Sequence, residues 1–110
     1  MCNRQNKADF KKLLREGYHI EHILPKKWNN YDGWTEETWY NDIDKLGNLI
    51  PLEWKLNISA RNEFFTRKKF DYAKSKVQDA QNLLILSDWS PKNLELRDDI
   101  SKERLVKFFS

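Results

Sequence analysis

Tyr18–Pro25, YHIEHILP, and Gly47–Asn57, GNLIPLEWKLN, are the stretches on which the reading of this chain turns. The first sets a carboxylate, Glu21, beside an imidazole, His22, inside an apolar, strand-like run over Tyr18–Leu24. Pro25 ends that strand because it cannot donate to a ladder. The second places Asn48 at the start of a short apolar run and Asn57 just beyond its end. Pro51 makes Asn48–Leu52 an edge or irregular strand. Glu53 to about Ser59 then reads as the start of a short helix carrying Asn57. Groups suited to metal binding and proton transfer, set in hydrophobic strand sequence, are unusual for a surface hairpin. Glu21 and His22 are neighbours, so a regular strand points them to opposite faces. Serving one site requires the strand end near Pro25 to twist.

Helices flank these strands. Asn6 to Glu16 has an apolar stripe of Phe10, Leu13 and Leu14 among lysines, with Gly17 as its stop. Lys26–Trp34 carries the turn signals Asn29-Asn30 and Asp32-Gly33 and is expected to be a loop. Thr35 caps a following helix, Glu36 and Glu37 favour its positive end, and Gly47 is expected to close it. Trp39, Ile43 and Leu46 give that helix a buried face. From Asn62 to about Leu86 a helical pattern places Phe65, Tyr72, Val77, Ala80 and Leu84 roughly on one stripe. Whether it runs unbroken or breaks near Ser75 stays open at this level. Ser90 as N-cap and Pro91 at N1 open a last helix with Leu94, Leu105 and Phe108 on its buried face. The composite is one small α+β domain over 1–110, with two strands and several helices. A two-stranded unit is marginal alone, so the helices and their tryptophans must supply the core.

Composition narrows the class. Lys and Arg number 20 against 17 Asp and Glu, a mildly basic balance that permits nucleic-acid binding without requiring it. The single cysteine, Cys2, excludes an internal disulfide and a Cys-built zinc site, and it suits a reducing cytoplasm. No apolar run approaches the roughly 20 residues that span a bilayer, and no signal-type leader opens the chain. A cytoplasmic protein without membrane contact is expected.

The run EHILP, a later NL, and an Asn nine positions after the first Asn together resemble the HNH (ββα-metal) nuclease signature. More closely, HIEHILP followed by LGNL and a further Asn is similar to the C-terminal nuclease domain of GmrSD-type modification-dependent restriction endonucleases. FFTRKKFDYAKS resembles that family's F-x-x-K-x-x-x-Y-x-x-S helix through Phe65, Lys68, Tyr72 and Ser75. WSPKNLELR resembles its W-x-P-x-x-I-x-x-R segment through Trp89, Pro91, Leu94 (in place of Ile) and Arg97. The resemblance runs from about residue 18 to 97. It implies a ββα-metal core surrounded by helices and a metal-dependent endonuclease acting on DNA in restriction or defence. Domains of that family usually sit at the C-terminus of a longer restriction enzyme, so this chain is either a piece of such an enzyme or a small stand-alone nuclease. RNA stays open as a substrate, because the same chemistry attacks both polymers. A non-catalytic nucleic-acid-binding module of a larger defence complex is the alternative.

By the same resemblance, His22 is the general base, Glu21 and Asn57 ligate one divalent cation, and Asn48 braces the loop that holds the base. An all-oxygen ligand pair suits Mg2+ or Mn2+ better than zinc. Asn57 stands where many relatives have His.

Other residues have two readings each. His19 shares a strand face with Glu21 and is either an added nitrogen ligand or a partly exposed strand histidine. Lys68 and Tyr72 share a helix face; Lys68 is either a phosphate contact, as the resemblance favours, or a lysine snorkelling over Tyr72, and Tyr72 is read as core. Arg61, Arg67, Lys69, Lys26 and Lys27 are candidates for nucleic-acid backbone contacts, or else ordinary solvated cations. Trp39, Trp54 and Trp89 are assigned to the core, and Trp28 and Trp34 to packing rather than base stacking.

Overall fold

The computed structural model describes residues 17–109, so the expected helix over Asn6–Glu16 and Cys2 lie outside the described residues, as does the Phe108 side chain. Strand β1, Tyr18–His22, pairs antiparallel with β2, Leu49–Glu53, in the register Tyr18↔Glu53 through His22↔Leu49. These two strands form the sheet. Between them lie a long loop, helix α1 (Glu36–Asp42) and a 3-10 turn at Leu46–Asn48. β2 runs directly into α2, Trp54–Ala60, and then come α3 (Phe65–Tyr72), α4 (Gln78–Asn82), a second 3-10 turn and α5 (Pro91–Phe109). The order strand, strand, helix is the ββα unit of an α+β domain.

Local chemistry explains most of these boundaries. Thr35 caps α1 through a reciprocal box with Thr38, whose N–H donates to Thr35 Oγ1 at 3.1 Å. Ser90 and Asn93 make the equivalent closure at α5: Ser90 N–H donates to Asn93 Oδ1 at 3.0 Å and Asn93 N–H to Ser90 Oγ at 3.3 Å.

The core is built from one face of β2 (Ile50, Leu52), the turn after β1 (Ile23, Leu24), and Phe65, Tyr72, Ala80, Leu83, Trp89 and Leu94. Trp34 and Tyr31 of the loop are also buried, and Tyr31 stacks on Phe64 with ring centroids 5.1 Å apart. The loop is thus anchored by packing. Trp34 Nε1 donates to the Trp89 carbonyl at 2.8 Å, and Trp39 Nε1 to the Pro25 carbonyl at 2.8 Å.

Several expectations are corrected. Gly47 does not close α1; it sits in the 3-10 turn, where a Cβ would strike the Asp98 backbone of α5. Close approach of two chain segments, rather than a left-handed cap, is what requires glycine there. The pattern from Asn62 to Leu86 does break at Ser75. Ser75 Oγ donates to Glu53 Oε1 at 2.6 Å, and the Lys76 N–H donates to Glu53 Oε2 at 2.9 Å. The end of β2 therefore captures groups that a continuing helix would have used. Trp54 is 44% exposed, and Leu46 and Leu105 are also largely at the surface rather than in the core.

Candidate active site

β1 ends at His22, and the chain turns at once through Ile23 and Leu24. That turn is fixed by Asn48, which is wholly buried. Its Oδ1 accepts from Leu24 N–H at 2.7 Å and from Trp89 Nε1 at 3.1 Å; its Nδ2 donates to the carbonyls of Leu24 (3.1 Å) and Ile43 (2.9 Å). A single amide thus ties the end of β1 to the end of α1 and to the approach to α5. Arg97 and Asp98 of α5 hold the 3-10 turn that carries Asn48. Arg97 Nη1 donates to the Gly47 and Leu49 carbonyls at 2.9 Å each, and Gly47 N–H donates to Asp98 Oδ1 at 2.8 Å.

With the strand end bent, Ile20, Glu21 and His22 all line one cleft of about 160 Å³, together with Lys26, Asn57, Arg61 and Asn62. Glu21 and His22 both border the cleft although the ladder keeps regular register to its last pair, His22↔Leu49. Asn57 comes from α2, which packs over β1. Its Nδ2 donates to Glu21 Oε1 at 2.9 Å.

Glu21 is buried, and Oε2 accepts from Lys68 Nζ at 2.8 Å and from the Tyr72 hydroxyl at 2.7 Å, both from α3. Lys68 is 0% exposed, and its Nζ also donates to the His22 carbonyl at 2.6 Å. This departs from a phosphate contact: the Lys68 charge faces Glu21 inside the domain. Tyr72 is core, as expected, and also a hydrogen-bond donor to the site. Burial pushes the Glu21 carboxyl above its ordinary range, against the pull of Lys68 and Tyr72, and pushes the Lys68 ammonium down. Burial first, and the Glu21 charge second, hold the Tyr72 hydroxyl well above its ordinary value, so it remains a donor.

His22 Nε2 lies 3.2 Å from Oδ1 of Asp44, a residue that sequence reasoning did not single out. A carboxylate oxygen accepts, so in the neutral tautomer that makes this contact Nε2 carries the hydrogen and Nδ1 is the nitrogen left to accept. No motif marks Asp44; only the turn after α1 brings it to His22.

The remaining candidates separate. Lys26 and Arg61 border the cleft. Lys27 is exposed but outside the cleft lining. Arg67 pairs with Glu63 at 3.7 Å, and Lys69 donates to the Leu86 carbonyl at 2.6 Å while lying over the Phe65 ring. His19 is exposed and does not line the cleft.

Among the described residues no three His, Cys, Asp or Glu side chains converge as a metal site. Asn57 Nδ2 donates to Glu21 Oε1, and the same amide turned over would present Oδ1, so the pair carries the oxygen donor types that a hard divalent cation takes.

An antiparallel strand pair running straight into a helix, with acid, imidazole and amide meeting at its open end, defines a domain of the ββα-metal class. Residues 2–100 match the family model described as GmrSD restriction endonucleases, C-terminal domain. The chain belongs to that family, whose domains are HNH-type and whose restriction activity implies DNA and a divalent metal. No curated protein and no solved structure matches it. No helix among the described residues is long and apolar enough to cross a membrane.

Proposed function

We propose that this domain hydrolyses DNA phosphodiester bonds, with His22 as general base and one divalent cation, Mg2+ or Mn2+, held by Glu21 and Asn57. The observation that carries the proposal is the meeting of Glu21, His22 and Asn57 in one cleft rimmed by Lys26 and Arg61.

The bound cation would supply charge stabilisation to the scissile phosphate and the departing 3′ oxygen. Everything else falls to the chain. Nδ1 of His22 takes the proton of the attacking water, while Asp44 on Nε2 holds the ring and steadies the imidazolium that forms. Lys68, bonded to the His22 carbonyl, keeps the base's backbone from sliding along the strand. Asn48 holds the turn that brings the base beside Glu21. Lys26 and Arg61 draw the phosphate backbone to the cleft without reading bases. In the whole restriction enzyme, cleavage is the part this domain contributes and target choice belongs to the remainder.

The test is nicking of supercoiled plasmid by the protein and by His22→Ala, with EDTA, Mg2+, Mn2+ or Zn2+ in parallel. Nicking that requires Mg2+ or Mn2+ and drops by roughly 10²–10⁴-fold in the variant is expected. Binding of DNA with no cleavage under any ion, alone or with the rest of a parent enzyme, would instead make this a binding module. Replacing plasmid with RNA of mixed sequence decides between the two polymers.

A further inference from the structure

We infer that Lys68 and Tyr72 are positioning residues that leave Glu21 only one coordinating oxygen, and so bias the site toward Mg2+ and Mn2+ against Ca2+. The inference rests on the reading that Glu21 and Asn57 hold the cation.

A carboxylate oxygen has two lone pairs. Both on Oε2 of Glu21 are taken, one by Lys68 Nζ at 2.8 Å and one by the Tyr72 hydroxyl at 2.7 Å. Among the described residues Oε1 accepts from Asn57 alone, at 2.9 Å, and is the oxygen on the Asn57 side of the group. The two clamping donors are not free to leave. Lys68 and Tyr72 are both 0% exposed, and no water replaces a partner lost at that depth. Lys68 is further tied to the His22 carbonyl at 2.6 Å, and the Tyr72 ring packs against Phe65. The carboxylate therefore cannot turn to offer both oxygens to one ion.

Ca2+ takes 6–8 oxygens, often with a carboxylate chelating through both of its oxygens, whereas Mg2+ requires an octahedron and keeps much of its water. A carboxylate reduced to one oxygen, beside one amide oxygen, satisfies the second pattern and not the first. The ammonium next to Glu21 also offsets the carboxylate's charge, so the group holds an ion through geometry more than through attraction.

The experiment measures Mn2+ binding to the whole chain by electron paramagnetic resonance, with Mg2+ and Ca2+ as competitors. Wild type is compared with Tyr72→Phe, Lys68→Met and Glu21→Gln. Tyr72→Phe frees one lone pair on Oε2 and is expected to raise Ca2+ affinity relative to Mg2+ about three- to tenfold, the weight of one hydrogen bond. Lys68→Met should move the ratio the same way. If that variant fails to fold by circular dichroism, Tyr72→Phe, which loses only a hydroxyl, carries the test alone. Glu21-dependent Mn2+ binding with an unchanged Ca2+/Mg2+ ratio in the folded variants overturns the inference and leaves the proposed function intact. Mn2+ binding that does not depend on Glu21 overturns both.

Discussion

The side-chain amide of Asn48 and the backbone of Leu24 bond reciprocally, Oδ1 to N–H at 2.7 Å and Nδ2 to the carbonyl at 3.1 Å. Asn48 thus acts toward Leu24 as a neighbouring strand would, at the point where β1 has stopped. Asn48→Ala leaves Leu24 N–H, the carbonyls of Leu24 and Ile43, and Trp89 Nε1 without that partner in a buried place. The variant should lose about 3 kcal/mol or more of stability. Urea unfolding followed by tryptophan fluorescence measures this, and a loss below about 1 kcal/mol would mean that water replaces the amide.

Gly47→Ala sets a Cβ against the Asp98 backbone, within 2.5 Å of its Cα. Neither atom belongs to a flexible side chain, so α5 must move off the turn. A destabilisation at or above the roughly 1–3 kcal/mol typical of overpacking is expected, with weaker protection of the Arg97 contacts. Hydrogen exchange at the amides of Leu49 and Ile23 reports it. Unchanged exchange would show that the turn yields without cost.

Asp98 gives a pH dependence with a definite sign. Burial raises its carboxyl, but the Gly47 N–H and Lys102 lower it more, and the result lies below its ordinary 3.8. Its contribution is whole above about pH 5, where both folded and unfolded states are ionised. It shrinks as pH falls below 3.8 and ends once the folded carboxyl takes its proton. Glu53, lowered by Ser75 and Lys76 against the opposing effect of burial, acts in the same direction. Asp98→Asn keeps an oxygen to accept from Gly47, so urea midpoints from pH 6 to 3 should fall less steeply than in wild type. Parallel slopes would remove Asp98 from the acid limb.

Asp44→Ala should lower the cleavage rate roughly two- to fivefold, a modest effect because the partner of His22 is solvent-exposed. KM should hold while kcat falls, and Asp44→Asn, which retains an acceptor, should recover part of the loss. A change in KM alone would make Asp44 a surface charge felt by DNA rather than the brace of the base.

The strands were legible because local chemistry and local packing agreed there, whereas the grouping of Glu21, His22, Asn48 and Asn57 was legible through the family resemblance. The apolar run ending at Pro25, the Thr35 cap and the Ser90-Pro91 opening depend on neighbours a few residues away. The fate of Lys68 was not legible. Its helical position said only which face it shares with Tyr72, and burial opposite Glu21 depends on how α3 lies across β1. The break at Ser75 was equally hidden, since Glu53, which captures it, is 22 residues away. Gly47 reads as a helix stop in sequence and is a crossing point in space, because the partner that demands it, Asp98, comes from the last helix. Trp54 was misread because tryptophan usually signals core, yet here it flanks the strand pair at the surface.

Trp89 reaches back to the Asn48 side chain, and Arg97 and Asp98 to the backbone around it, and this gives the order of synthesis a role. Glu21, His22, Asn48 and Asn57 leave the ribosome well before the segment that holds them in place. A nascent chain ending short of Trp89 is therefore expected to carry every residue of the cleft and yet no assembled cleft. Chains arrested at successive lengths and probed by limited proteolysis should become resistant only once the first turns of α5 have emerged. A domain built this way stays unassembled until its last helix has been made.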